Sequence, residues 1–387
     1  AALGRPDLAS FLQLAAVAIP SALVADGLLW ATEGLGSQRY GVAIRMVLEP
    51  IVKIAVAAAL FGPYGESTEA EPLAVAYAAA VVVSAALAIG VYRAVVVPRT
   101  PGTSRPMPAR ELLAVSLPVC GLVLLVRLLA WWDVFLIFTF VSSIATTHYT
   151  IGIRTATLTT MIASAFDAAF RPRIAAALAV GGHGAVVHEF RLVARTVLML
   201  CLPACAMLAV FPHRVMPVLG EQFSASTGVV AIVAAGTIAS LTVGPAASAL
   251  VMAGRSRIPL VNGLAGGAVG VVVGLALVRP LGPVGVALGQ FSSIAVSNML
   301  HGAAARRELG VLGVGRDHLR LAGAVGVAVG AGLAADAIAV ENKYAAFVAV
   351  GTAVVLAYAA GLLLFRVPRE DWALLANALR LLRGGKR

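Results

Sequence analysis

Long apolar runs separated by short polar turns fill most of the chain. Eleven can be read in order, at residues 8–32, 40–62, 72–96, 111–141, 148–170, 190–211, 224–253, 257–278, 283–304, 320–340 and 344–366. A helix needs about 20 apolar residues to cross the hydrocarbon layer, and each run is of that order. Gly, Ala, Ser and Thr are scattered through most of the runs, as in closely packed membrane helices. Pro20, Pro50, Pro118, Pro203 and Pro245 lie inside runs. They would break soluble helices, whereas a membrane bundle tolerates them as kinks. The pattern predicts an all-α fold: a polytopic transmembrane helix bundle of about eleven spans.

The turns between runs carry charge asymmetrically. With sides alternating from the first run, twenty-one of the 29 Lys and Arg fall on one side, including Arg93, Arg171, Arg255, Arg306 and the C-terminal tail. Four fall on the other side (Arg5, Arg214, Arg279 and Lys343), together with the acidic loop Glu66, Glu69 and Glu71. The positive-inside bias makes the basic side cytoplasmic. The C-terminus is then inside a multi-pass protein of the cell membrane, and Ala1 is outside. A chain that starts in the cytoplasm would carry an odd number of further helices ahead of Ala1.

Composition agrees with this. The 387 residues are 60% hydrophobic and 12% charged, about half the charge of an ordinary soluble domain. That excludes a soluble globule and a disordered chain. The net charge of +11 raises the possibility of nucleic acid, but the cations are spread over every basic-side turn instead of one face with interleaved aromatics. No nucleic-acid partner is expected.

A weak internal repeat adds organisation. GSQR at 36–39 precedes the second run, and GRSR at 254–257 precedes the eighth. The following runs also match, PLAVAYAAAVVVS from Pro72 against PVGVALGQFSSIA from Pro283. Runs one to three thus resemble runs seven to nine in the same orientation, as in transporters with two pseudo-symmetric lobes. Counterparts of runs four to six would then precede Ala1, and three is an odd number.

Several stretches resemble the polysaccharide flippases of the multidrug/oligosaccharidyl-lipid/polysaccharide exporter superfamily. LPVCGLVLLVRLLAWWDVFLI (117–137) resembles that family's seventh helix, and THYTIGIRTATLTTMIASAFDAAFRPRIA its eighth. RVMPVLGEQFSAS resembles the outer segment before helix ten, VGPAASALVMAGRSRIPLVNG the turn from helix ten to eleven, and LVRPLGPVGVALGQFSS the link from eleven to twelve. Order and spacing carry the resemblance more than any single motif. It implies an N-terminally truncated member with about eleven of fourteen helices, in two lobes around a central cavity. The domains would be 1–97, the remainder of the N-lobe; 98–110, a cytoplasmic linker; 111–310, a six-span C-lobe; 320–366, a C-terminal helix pair; and 367–387, a basic amphipathic tail. The implied function is to flip undecaprenyl-pyrophosphate-linked oligosaccharide across the cytoplasmic membrane for cell-surface polysaccharide biosynthesis. Implied partners are that lipid-linked oligosaccharide and the glycan polymerase or glycosyltransferases of the pathway.

Ionisable groups at membrane depth are costly and usually face a cavity or a partner. Arg45, Glu49 and Lys53 stand at i, i+4 and i+8 on one stripe of the second run, Arg127 and Asp133 in the fourth, and Arg154 in the fifth. Their net positive charge suits a pyrophosphate, which Arg can bind in bidentate fashion. These six are the candidate substrate-binding residues. The competing reading is structural: Arg45–Glu49–Lys53 as a self-compensated ladder and Arg127 paired with Asp133. The six-residue spacing of Arg127 and Asp133 places them about 9 Å apart along one helix and well round its axis. Asp26, Glu33 and Asp167 lie nearer the cytoplasmic edge.

In the tail, Trp372, Leu375, Leu379 and Leu382 share a helix face, with Arg380, Arg383, Lys386 and Arg387 beside them. Such a helix lies on the anionic inner leaflet. The three cysteines and six histidines form no metal-ligand spacing, so no metal, cofactor or catalytic residue is expected. A drug or small-cation exporter of the same superfamily would call for acidic cavity charge and stop at twelve helices. A polytopic sugar or acyl transferase would need a catalytic cluster, and its best candidate, Arg316–Asp317–His318, reads more simply as a charged loop cap.

Overall fold

The structure is a computed structural model, and it describes residues 18, 20–32, 35, 39–61, 71–99, 131–180, 183–311, 315–338 and 342–365. Among these residues helix is the only regular secondary structure. The chain divides into two compact units, Ala1–Val115 and Ser116–Arg387.

In the first unit, α1 runs over 20–32. The helical stretch α2 begins at Arg39–Gly41, is π-helical over Val42–Leu48 and continues as Glu49–Phe61. Helix α3 spans Glu71–Val91, widens into π-helical Tyr92–Val96 and tightens into 3₁₀ Val97–Arg99. Ala25 and Leu29 of α1, Ile44 of α2 and Ala85 and Ala88 of α3 form the core. The three alanines among them let the helices approach closely.

The second unit contains α4 (Trp131–Phe140), α5 (Ser143–Val180), α6 (His183–Val210), α7 (Pro212–Leu219), α8 (Thr227–Val243), α9 (Ala246–Met252), α10 (Arg257–Leu281), α11 (Pro283–Leu309), α12 (Arg316–Ala337) and α13 (Lys343–Leu364). Helix α6 is central. Val193, Val197, Leu202 and Cys205 pack against Leu321, Ala328, Val350 and Val354 of the α12–α13 pair. The buried Tyr358 hydroxyl donates to the Met199 carbonyl at 2.9 Å.

Helices α10 and α11 meet through glycine. A Cβ at Gly270 would lie 2.6 Å from the Ser293 Cβ, and one at Gly289 would lie 2.7 Å from the Gly270 carbonyl oxygen. Only glycine permits that backbone approach, so this face is fixed by size exclusion, as expected where lipid supplies no hydrophobic drive between helices.

Six described helical segments are long and apolar enough to cross a membrane: Pro72–Arg99, Val186–Val210, Glu221–Val243, Arg257–Leu281, Asp317–Ala337 and Lys343–Leu364. The chain is an all-α, polytopic transmembrane helix bundle. Helices α2, α5 and α11 coincide with further apolar runs but carry more polar side chains. One run differs in form from the sequence reading. The span expected at 224–253 is two helices, α8 and α9, broken at Gly244 and Pro245. Gly244 has φ +74°, where a side chain would be strained, and a Cβ there would lie 2.5 Å from the Ala194 Cβ of α6. Proline alone would kink a helix; the left-handed glycine ends it.

Ion pairs tie helix ends together. Arg195 of α6 meets Asp317 of α12 at 2.7 Å, and Arg320 meets the same carboxylate at 3.0 Å. Arg255 and Glu308 approach to 3.3 Å. At the other end of α12, Asp336 holds Arg214 of α7 at 2.5 Å and His213 at 3.2 Å. Lys343 holds Glu221 at 2.6 Å. Asp317 therefore acts as a clamp and not merely as the cap of its own loop.

Candidate functional site

Two regions of the bundle concentrate polar groups, one in each unit. In the first unit, Arg45, Glu49 and Lys53 form a continuous ladder along α2. Arg45 Nη1 donates to Glu49 Oε2 at 2.7 Å, and Lys53 Nζ donates to Glu49 Oε1 at 2.8 Å. The second face of the Arg45 guanidinium is also occupied: Nη2 donates to the Ala22 carbonyl at 3.0 Å and to the Asp26 carboxylate of α1. The Ser84 hydroxyl of α3 donates to Glu49 Oε2 at 3.3 Å. Lys53 lies over the Tyr77 ring, 4.7 Å from its centroid. Glu49 is buried, while Arg45, Lys53 and Asp26 keep part of their side chains exposed.

The four charges of this cluster cancel, two cations against two carboxylates. Asp26, expected nearer the cytoplasmic edge and outside the stripe, is one of them. The i, i+4, i+8 spacing sets the ladder, and the neighbouring helix supplies the balancing charge. Arg45 lies in the π-helical stretch of α2, and π-helical turns within α-helices are frequent at functional sites.

In the second unit, Asp133 of α4 is buried. Its Oδ2 accepts from the Tyr149 hydroxyl of α5 at 3.0 Å, and its Oδ1 accepts from the Val134 N–H at 2.8 Å. Arg154 is exposed, its guanidinium 5.9 Å from the centroid of the Trp131 ring. Arg127 and the tail residues Arg380, Arg383, Lys386 and Arg387 lie outside the described residues. The structure thus brings Arg45, Glu49 and Lys53 together and places Asp133 with Tyr149.

A cavity of about 480 Å³ lies in the second unit, and none of the five described sequence-selected residues lines it. Helix α5 contributes Thr157, Thr160 and Ser164; α8 contributes Thr237 and Ser240; α11 contributes Ser293, Ser297 and Asn298. The α8–α9 break forms part of the wall through Gly244 and Pro245, followed by Ser248. Valines 193 and 197 of α6 close the apolar side. Among the described residues no ionisable side chain lines this space.

The hydroxyls fall into two groups. Thr157, Ser164 and Thr237 donate to the carbonyls one turn back at 2.8, 2.8 and 3.0 Å, and Thr160 donates to the Thr157 carbonyl at 2.6 Å. Their donors are used, and their lone pairs remain. The hydroxyls of Ser240, Ser293 and Ser297 have no hydrogen-bond partner among the described residues. Asn298 donates from Nδ2 to the Ile294 carbonyl at 2.8 Å and retains its carbonyl oxygen. The described lining therefore offers both donors and acceptors without net charge. These residues were readable in the sequence only as small packing positions; the one signal was the lower hydropathy of 148–170 and 283–304.

The described helices form a multi-span membrane bundle whose second unit holds a polar-lined cavity. Among solved structures the chain is similar to the lipid II flippase MurJ in an inward closed conformation. The TM-score is 0.74, with 9% sequence identity over 92% of this chain and 74% of that one. That likeness is one of fold. No family model matches the chain, and no curated protein matches its sequence.

Proposed function

We propose that this protein is a flippase, not an enzyme, and that it turns an undecaprenyl-pyrophosphate-linked oligosaccharide across the cytoplasmic membrane for cell-surface polysaccharide biosynthesis. The observation that carries this reading is the fold shared with a lipid II flippase over 92% of the chain. The order of sequence features resembling polysaccharide flippases supports it independently. The neighbour's own name favours lipid II as a second substrate reading.

In this proposal residues 1–97 and 111–310 are the two transport lobes, joined by 98–110. Residues 320–366 are an accessory helix pair, and 367–387 hold the anionic inner leaflet. Arg127 and Arg154 meet the substrate's pyrophosphate end, with Arg127 the principal anion ligand, while the charge-balanced Arg45–Glu49–Lys53 ladder and the Asp133–Tyr149 pair brace the helices of their own lobes. Glycan polymerase and glycosyltransferases of the pathway are its partners.

Depleting the protein in its host tests the reading. The expected result is accumulation of lipid-linked oligosaccharide on the inner leaflet and loss of the surface polymer. Unchanged lipid-linked pools would overturn it. Arg127→Ala should abolish export, and Arg127→Lys should retain part of it, because charge remains while the bidentate fork is lost.

A further inference from the structure

We infer that the hydroxyl-lined cavity of the second unit binds an uncharged, polyhydroxylated group, the sugar portion of the lipid-linked substrate. This rests on the flippase reading and adds a second contact region, whose described lining is uncharged.

The chemistry of the wall selects the ligand. A pyrophosphate needs cations, and among the described residues none lines the cavity. An organic cation needs carboxylates or aromatic faces, and the lining has neither among the described residues. An acyl chain would leave the serine hydroxyls of α8 and α11 unpartnered in an apolar contact, at a desolvation cost for each. A sugar ring presents several hydroxyls that both donate and accept. That matches Ser240, Ser293 and Ser297, which are free to do both, and the back-bonded threonines, which can accept.

The volume of about 480 Å³ falls in the range of small-molecule sites, about 300–1,000 Å³. The cavity is also built rather than incidental. The α8–α9 break opens the helix wall at the cavity, and non-helical backbone at membrane depth is tolerated where it lines a polar space. The glycine contacts of α10 with α11 fix the position of Ser293 and Ser297. A Cβ at Gly266 would overlap the Ser297 hydroxyl, and one at Gly270 would crowd Ser293. On the sidedness read from the charges, α5 and α11 turn this part of their length toward the inner half of the membrane, where the substrate is loaded.

Equilibrium binding to the purified full chain in nanodiscs tests the inference. The probes are undecaprenyl pyrophosphate and the same lipid carrying a neutral disaccharide. Two variants are compared with wild type: the triple substitution Ser240→Ala, Ser293→Ala, Ser297→Ala, and the cavity-filling Ser240→Leu, which serves alone if the triple variant does not fold. Wild type should bind the glycosylated lipid more tightly than the bare one. The variants should lose about ten- to a hundredfold in affinity for the glycosylated lipid, the scale of two or three hydrogen bonds, with bare-lipid affinity unchanged. Variants that keep the wild-type preference, or a wild type that binds both lipids equally, would overturn the sugar site and leave the flippase reading standing. A wild type that binds neither lipid would overturn both.

Discussion

The polar cluster of the first unit is built of full charges that satisfy one another; the cavity of the second unit is lined by uncharged hydroxyls, some of them open. Arg45 meets Asp26, Glu49 and the Ala22 carbonyl, and Lys53 meets Glu49 and the Tyr77 ring. Around the cavity of the second unit, three serines have no partner among the described residues. The difference follows from energetics. A buried charge must be paired to be tolerated in a membrane, so it becomes part of the scaffold. A hydroxyl costs far less to leave unpaired and can wait for a ligand. In this bundle the costliest polar groups hold helices together, and the cheaper ones line an open space.

The contrast can be broken most severely at Glu49. Glu49→Ala removes the shared partner of two cations and should destabilise the protein by about 2–3 kcal/mol, less than a fully buried pair would cost because Arg45 and Lys53 retain solvent access. Thermal unfolding in detergent would measure it; an unchanged midpoint would mean that the ladder is not structural. At Gly289, substitution by Ala presses a methyl group against the Gly270 backbone and should cost about 1–3 kcal/mol. The same variant should change ligand binding at the cavity, because α11 carries Ser293 and Ser297. Tyr149→Phe removes one hydrogen bond from the buried Asp133 and should cost about 1–3 kcal/mol. Arg154→Gln, at an exposed position, should move stability by less than about 0.5 kcal/mol. Its effect belongs in transport, as a reduced rate at equal expression; a large stability loss there would make Arg154 a scaffold residue.

The all-helical membrane architecture was legible because apolar runs of span length and loop charge are strong, additive signals. The ladder was legible too, since i, i+4, i+8 spacing is intrahelical. Its completion by Asp26 was not, because sequence does not reveal which neighbouring helix faces Arg45. The helix break at Gly244 was half visible: Pro245 marked the position, but the contact with Ala194 that calls for glycine is tertiary. The cavity was the least legible feature. Serines and threonines inside membrane helices back-bond to their own carbonyls and serve as small packing residues, so their pattern looks the same whether a neighbour fills the space or leaves it open. Only the packing of α5, α6, α8, α9 and α11 decides that.

Transport by the isolated protein tests the central claim most directly. The full chain is reconstituted in proteoliposomes with a fluorescent undecaprenyl-pyrophosphate-linked oligosaccharide, and an impermeant quencher is added outside. The account predicts that label held in the inner leaflet becomes quenchable as the lipid is flipped, and that Arg127→Ala slows this to the rate of protein-free vesicles. An inner-leaflet pool that stays as protected with wild-type protein as without it would contradict the account.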